Sequence, residues 1–212
     1  MKPILSIIVA VILSGSLFVG CKEKQEGMEI ATDEAAEEEA SLAGKRVVMI
    51  IAPENFRDEE LIEPQEALYD RGAEVKVACK SLETAKGMLG AQVKPDMLVS
   101  DIKVEDWDAI VLIGGTGSSV YWEDSTVHSL LNRAVEQDRI VGAICIAPVT
   151  LANAGILSGK KATVSGSEEQ KLVDKGAKYT GKGVERDGNI ITASGPPAAK
   201  GFGEAIAGAL AE

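Results

Sequence analysis

Three uninterrupted apolar runs of strand length, at 47–51, 109–113 and 140–144, constrain this 212-residue chain more than any other feature. Runs without a polar alternation are typical of strands covered on both faces, as in parallel sheets between helices. Helical patterns separate them at 58–71, which Gly72 ends, and at 124–137. This alternation predicts one α/β domain with a mainly parallel sheet between two helical layers.

Shorter patterns complete the predicted order. They indicate strands at 75–79 and 161–164, hairpins within 86–99 and 184–192, and helices at 146–155, 168–175 and 198–210. In such a sheet, ligands bind at the carboxyl ends of the strands. The sequence places Gly114-Gly115 and Cys145 at those ends.

The first 20 residues have the pattern of an export signal, with Lys2 ahead of a short apolar stretch and small residues before Cys21. The segment Leu17–Cys21 resembles a bacterial lipobox, although Phe18 stands where leucine is usual. We therefore predict a lipoprotein signal peptide over 1–20, cleavage before Cys21 and lipidation of its thiol. The alternative is an uncleaved N-terminal anchor. Either one would hold the chain at the cell membrane, on its extracytoplasmic side.

Residues 21–44 change abruptly in composition, with eight acidic side chains, two lysines and no aromatic residue. Such a segment buries little, so we predict a disordered tether there and a folded domain over 45–212. The domain carries a formal net charge of −6, and it contains no cluster of lysine and arginine. Nucleic acid is therefore not an expected partner.

Cys145 follows the third apolar run where the pattern turns from strand to helix. Unpaired N–H groups and the dipole at a helix N-terminus favour a thiolate, which would make this cysteine a nucleophile. The alternative is a small apolar residue that fills space. Cys79 ends another strand pattern and is predicted to be core, although a disulfide between the two cysteines stays open.

Cofactor and metal signals are absent from the sequence. Gly114–Gly117 lacks the spacing of a dinucleotide loop. A single histidine and widely separated cysteines give no metal-ligand spacing. We therefore expect neither a metal nor a cofactor.

Several motifs occur in the order in which the ThiJ/PfpI superfamily has them, and the resemblance extends over 45–212. They are Phe56-Arg57-Asp58-Glu59-Glu60-Leu61 with Pro64, the stretch 108–115, Gly142-Ala143-Ile144-Cys145-Ile146-Ala147-Pro148, the stretch 157–163 and the stretch 187–193. This superfamily includes the Parkinson-disease-associated deglycase, intracellular peptidases and glyoxalase-like enzymes. The resemblance implies a flavodoxin-like three-layer α/β/α sandwich that is commonly dimeric, so we expect a homodimer.

The resemblance also implies roles for individual residues. Cys145 would be the nucleophile and Glu60 the carboxyl that hydrogen-bonds it, while the N–H groups of Gly115 and Ile146 would form an oxyanion pocket. A glutamate beside a thiolate is sensible only when it is protonated, because two bare negative charges in contact disfavour each other. From the residues alone, Glu59 and Glu60 could equally decorate a helix N-terminus.

The sequence departs from the superfamily where its members carry histidines. Ile146 follows the cysteine where the peptidases have histidine, and Ser165 stands where the deglycase-like members have one. The single histidine, His128, lies in a helical pattern and is expected to be an ordinary surface or partly buried side chain. Since thiol catalysis of peptide hydrolysis needs a base within reach, the chain is not expected to be a peptidase.

Two functions remain. One is glyoxalase- or deglycase-like protective chemistry, in which Cys145 adds to a small reactive carbonyl compound. The other is a redox-sensing, chaperone or binding module that uses the oxidation of Cys145. Arg57 replaces an acid of many members and either faces the thiol or lies in solvent. Tyr121 and Trp122 are candidates for pocket wall or for core.

Overall fold

The computed structural model describes residues 41–212, and the predictions for the signal peptide, for Cys21 and for most of the acidic tether lie outside the described residues. The strands are β1 Arg46–Ile50, β2 Glu54–Phe56, β3 Glu74–Cys79, β4 Ala85–Gly87, β5 Gln92–Val93, β6 Met97–Leu98, β7 Ala109–Leu112, β8 Ile140–Ile144, β9 Lys161–Ala162, β10 Lys178–Tyr179, β11 Val184–Asp187 and β12 Ile190–Ala193. The α-helices are α1 Asp58–Tyr69, α2 Ser125–Glu136, α3 Pro148–Asn153, α4 Glu169–Asp174 and α5 Ala199–Ala211.

A seven-stranded sheet in the order β11-β12-β8-β7-β1-β3-β6 forms the centre of the domain. Its neighbouring strands are parallel except for β11 and β12, which form the antiparallel hairpin that Asp187-Gly188 predicts. The continuous apolar runs supply the central strands β1, β7 and β8, whose residues are buried almost throughout. The predicted mainly parallel sheet is confirmed.

Alternate residues of each central strand point to opposite layers. Val48, Ile110 and Val141 pack with residues of α2, α3 and α4 in one core cluster. On the other face, Val47 and Val111 pack with residues of α1 and α5. The two clusters give the predicted three-layer arrangement. α2 begins as expected, because the Asp124 carboxylate accepts hydrogen bonds from two N–H groups of its first turn.

Three short segments differ from the predicted order. The hairpin predicted within 86–99 forms as β4 and β5, but it joins β2, a three-residue strand that the pattern does not reveal, in a separate small sheet. The strand predicted at 161–164 shortens to β9 and pairs with β10 outside the main sheet. Strands of two or three residues are too short to show a period of two.

The packed domain begins before the predicted boundary at residue 45. Leu42 is fully buried in the core cluster of α1 and α5, and its N–H donates to the carbonyl of Arg71 at 2.7 Å. Burial of this side chain is worth about 2 kcal/mol, which is enough to fix the segment to the domain. Within 41–212, none of the helices has the length and hydropathy needed to cross a bilayer.

Candidate active site

Cys145 lies in a sharp turn between β8 and α3, at the carboxyl edge of the main sheet. Its φ of 63° is in the left-handed region, which costs a residue other than glycine about 1–3 kcal/mol. Backbone contacts on both sides hold this conformation: the N–H of Cys145 donates to Ala193 at 2.9 Å, and its carbonyl accepts from the N–H of Ser165 at 2.8 Å. The strained backbone presents the thiol, which is half-buried.

Glu60 lies in the first turn of α1 and is fully buried. A Cβ built on Gly114 would lie 2.4 Å from Glu60 Oε2 and 2.5 Å from Cys145 Cβ. The two side chains therefore meet across the bare Cα of Gly114, as their places at the sheet edge predict. Any side chain at Gly114 would push them apart.

The pKa of Glu60 is raised from its ordinary value of 4.5 to about 7, and burial is the largest cause. The Cys145 thiol, the Arg57 guanidinium and the Gly114 N–H act in the opposite direction. Both carboxyl oxygens lack a well-formed hydrogen bond to any described residue. A buried carboxyl group favours its protonated form, because the charged form loses its hydration, and here burial outweighs the groups that favour the charge. Glu60 therefore titrates near neutral pH.

The pKa of Cys145 is also raised, from 9.0 to about 11, mainly by burial and then by the charge of Glu60. Hydrogen bonds from the backbone N–H groups of Gly115 and Ile146 lower it. The sequence-based expectation of a depressed thiol pKa is thus wrong, because burial raises the pKa and an ionised Glu60 raises it further. α3 has only six residues, and its N-terminus does not outweigh burial and a neighbouring carboxylate. The charge effect vanishes when Glu60 is protonated.

The two amides named for an oxyanion pocket both face the sulfur, as their effect on its pKa requires. Gly115 reaches this place at a φ of 89°, and a Cβ there would lie 2.4 Å from the backbone nitrogen of Arg57 and from the carbonyl oxygen of Asn55. Only glycine fits between β2 and the elbow, the turn formed by residues 145–147. The structure therefore brings together Cys145, Glu60, Gly115 and Ile146.

Arg57 precedes α1 and belongs to the mouth of this site. Its guanidinium forms a two-pronged ion pair with Glu59, with N–O distances of 2.8 and 3.0 Å, and both side chains are about one-third exposed. Arg57 also lowers the pKa of Glu60, so its charge reaches the interior pair. Neither of the two sequence-based alternatives describes it fully, since it is half-buried and bound to Glu59.

Asp58 is a site neighbour that sequence reasoning missed. Its buried carboxylate accepts hydrogen bonds from the N–H groups of Leu89 at 2.9 Å and Ala91 at 2.7 Å, and so ties the β4–β5 hairpin to α1. A Cβ on Gly87 would lie 2.5 Å from that carboxylate. The glycines of the hairpin were the only sequence signal for this contact, and they indicate a turn but not the side chain that binds the turn.

The other side chains named from the sequence lie in the core or are half-buried. Cys79 and Tyr121 are buried in the core, and the Tyr121 hydroxyl donates to the carbonyl of Ile51 at 2.8 Å. Both described cysteines are free thiols, so no disulfide joins Cys79 to Cys145. His128 is half-buried, and its Nε2 contacts the carbonyl of Trp122 at 2.8 Å.

A metal centre is not evident among residues 41–212, where no three histidine, cysteine, aspartate or glutamate side chains converge.

Residues 45–209 match the DJ-1/PfpI family. An uncharacterised protein of Methanocaldococcus jannaschii is 37% identical over 207 residues, which cover 96% of this chain and 94% of the relative. A glutathione-independent glyoxalase of Caenorhabditis elegans is 31% identical over 76% of this chain and 86% of its own length. A deglycase of Pyrococcus horikoshii is 29% identical over 70% of this chain and 90% of its own length.

Among solved structures, the chain resembles the ThiJ/PfpI domain protein of Brachyspira murdochii, with a TM-score of 0.76 and 30% identity. The likeness covers 81% of this chain and 97% of that one, and it identifies the three-layer arrangement as the flavodoxin-like fold. Sequence and fold therefore agree, and the chain belongs to the DJ-1/PfpI family.

Proposed function

We propose that the chain is a cysteine-dependent enzyme that detoxifies small reactive carbonyl compounds, with glyoxalase- or deglycase-like chemistry. The observation that carries the proposal is the meeting of the Cys145 thiol with a protonatable, buried Glu60 across Gly114. Two family relatives with glyoxalase and deglycase names support it.

The sulfur of Cys145 attacks the aldehyde carbon, a C–S bond forms, and the carbonyl π electrons move to oxygen. Glu60 accepts the thiol proton when it is ionised and returns it to the new alkoxide, so that a neutral hemithioacetal results. The N–H groups of Gly115 and Ile146 hold the oxygen while it carries the charge. For a 2-oxoaldehyde, an internal hydrogen shift then turns the hemithioacetal into a 2-hydroxy thioester, and one water cleaves its C–S bond, which releases the 2-hydroxy acid and restores the Cys145 thiol.

Peptide hydrolysis is the activity that we exclude from the proposal. The chain has one histidine, and its ring nitrogen is engaged by the carbonyl of Trp122. Ile146 stands where the family peptidases carry their base.

The test is consumption of methylglyoxal by the full chain, compared with Cys145→Ser and Glu60→Gln. We expect a loss of roughly 100-fold or more in kcat/KM for each variant, as is typical when a nucleophile or proton carrier is removed. Cys79→Ser is the matched control, because that thiol is buried in the core, and it should keep its activity. Equal rates in all four proteins would refute the enzymatic proposal.

A redox-sensing, chaperone or binding role is the second candidate, and the half-exposed thiol beside a proton donor favours it. Mild peroxide should then add oxygen to the Cys145 peptide alone, in a chain that does not consume methylglyoxal. Oxidation spread over all cysteine peptides, or absent from them, would count against this role.

We propose further that the chain is exported, lipidated at Cys21 and anchored at the extracytoplasmic face of the cell membrane, and that its domain forms a homodimer. The first part rests on the sequence of residues 1–21, and the second on the family resemblance. Intact mass of the membrane-bound protein should show the loss of residues 1–20 and an added acyl mass, and Cys21→Ser should lack both changes. Sedimentation of the unprocessed chain should give twice its mass of 22.2 kDa, and a single-chain mass would refute the dimer.

A further inference from the structure

The left-handed backbone of Cys145 has to be held from outside, because its conformation is unfavourable by itself. Most of the hydrogen bonds that hold the elbow join backbone groups. Within the described residues, one side chain donates to an elbow carbonyl: the indole Nε1–H of Trp122 reaches the oxygen of Ile146 at 3.2 Å. That contact crosses from the loop after β7 to the turn that carries the thiol.

Trp122 is itself fixed from three helices. Its carbonyl accepts from His128 Nε2 of α2 at 2.8 Å and from Asn153 Nδ2 of α3 at 3.0 Å. The ammonium group of Lys171, in α4, lies 5.2 Å from the centre of its ring. This arrangement gives the single histidine of the chain a structural place. It also fixes the backbone from which the indole projects, and Lys171 is the contact on the ring itself.

We propose that Trp122 is a positioning residue for Cys145, which fixes the Ile146 carbonyl and thereby aims the Ile146 N–H at the sulfur. The inference rests on the proposed function, in which Cys145 is the reacting group. The carbonyl and the N–H of Ile146 belong to successive peptide planes that share one Cα. Holding the carbonyl therefore limits the rotation that would carry the N–H away from the thiolate.

The consequence is chemical as well as structural. The Ile146 N–H is one of two backbone donors that lower the pKa of Cys145, against burial and the Glu60 charge, which raise it. If the elbow relaxes, this donor is weakened and the thiolate form becomes scarcer. The charged groups around the pair are Glu60, Arg57 and Glu59, and none of them changes when Trp122 is altered.

The experiment measures the rate of Cys145 alkylation by iodoacetamide against pH, at peptide resolution, in the full chain. Trp122→Phe keeps a ring in place and removes only the donor. We expect alkylation at pH 8 to slow by about threefold to tenfold, as the loss of one hydrogen bond to the site implies, with the pH profile displaced upward. Trp107→Phe is the matched control, since Trp107 precedes β7 at the opposite edge of the sheet and stacks on Arg46.

A Trp122→Phe profile that coincides with those of Trp107→Phe and the wild type would overturn the proposal. A second measurement does not depend on Trp122→Phe: in the folded Trp107→Phe protein, Trp122 is the sole indole. Its emission should change along the pH profile of Cys145 alkylation, and this change should vanish after Cys145→Ser. An emission that changes neither along this pH profile nor on Cys145→Ser would also refute the inference.

The two proposals fail separately. A chain that does not consume methylglyoxal, yet shows the displaced alkylation profile in Trp122→Phe, refutes the enzymatic function and retains the role of Trp122. A chain that consumes methylglyoxal equally well with and without the indole N–H refutes the role of Trp122 and retains the function.

Discussion

Replacement of Glu60 by glutamine tests the central electrostatic argument through stability rather than activity. The folded-state pKa of Glu60 is about 7, against an ordinary value of 4.5. Between these pH values the folded chain holds a proton that the unfolded chain has lost, so the free energy of unfolding falls as the pH rises. At 1.36 kcal/mol for each unit, the full loss is about 3 kcal/mol, complete above pH 7.

Urea unfolding at pH 5 and at pH 8 measures this loss. The free energy of unfolding of the wild type should fall by about 2 to 3 kcal/mol more than that of Glu60→Gln between the two pH values, because glutamine has no proton to lose. Glu66→Gln is the matched control, since it changes an exposed carboxylate of the same helix. Its pH dependence should follow that of the wild type.

Removal of the thiol should change the titration of Glu60. Cys145 lowers the pKa of Glu60, so Cys145→Ala should raise it further and move the pH window of stability loss upward. Parallel pH dependence in the wild type and Glu60→Gln would refute the argument, because it would mean that Glu60 keeps its ordinary pKa in the folded chain. A window that moves downward in Cys145→Ala would refute the assigned coupling.

Three further perturbations have defined outcomes. Gly114→Ala should lower the free energy of unfolding by about 1–3 kcal/mol and slow Cys145 alkylation, because its Cβ overlaps both side chains of the pair. Gly208→Ala, with open space around it, should be neutral or slightly stabilising in the same urea titration. Arg57→Gln should raise the pKa of Glu60, seen as an upward shift of the pH window of stability loss; an unchanged window would mean that Glu59 neutralises Arg57 completely. Asp58→Ala should cost about 2–4 kcal/mol and expose the two hairpin amides to hydrogen exchange, since it removes two part-buried hydrogen bonds to a carboxylate; unchanged exchange would contradict this.

The long apolar runs made the fold predictable. Residues 47–51, 109–113 and 140–144 carry enough consecutive apolar side chains to specify strands that are buried on both faces, and the helical patterns between them specify the crossovers. β2 and β9 were less predictable, because strands this short carry no period and exist through partners distant in sequence. The burial of Leu42 was not predictable, because the acidic composition of the segment before it does not reveal a single buried side chain.

The site divides in the same way. Cys145 was accessible to sequence reasoning because strand ends meet at one edge of a parallel sheet, and Glu60 was named from the family motif. The close contact of the Cys145 and Glu60 side chains with Gly114 could not be predicted, since it depends on differences in distance of a few tenths of an ångström. Trp122 offered only a choice between wall and core, because its donor is satisfied by a carbonyl 24 residues away.

The raised pKa values of both site groups have one further consequence for reactivity. Cys145 and Glu60 interact strongly, so loss of the first proton has an apparent pKa that belongs to the pair and to neither residue alone. The remaining proton then lies either on sulfur or on the carboxyl. The thiolate form is the one in which Glu60 keeps it, free of the repulsion that otherwise raises the thiol pKa. Cys145 alkylation in the wild type should therefore show a first rise near pH 7, which Glu60→Gln should lack because glutamine has no proton to share; the same single rise in both proteins would refute the coupling.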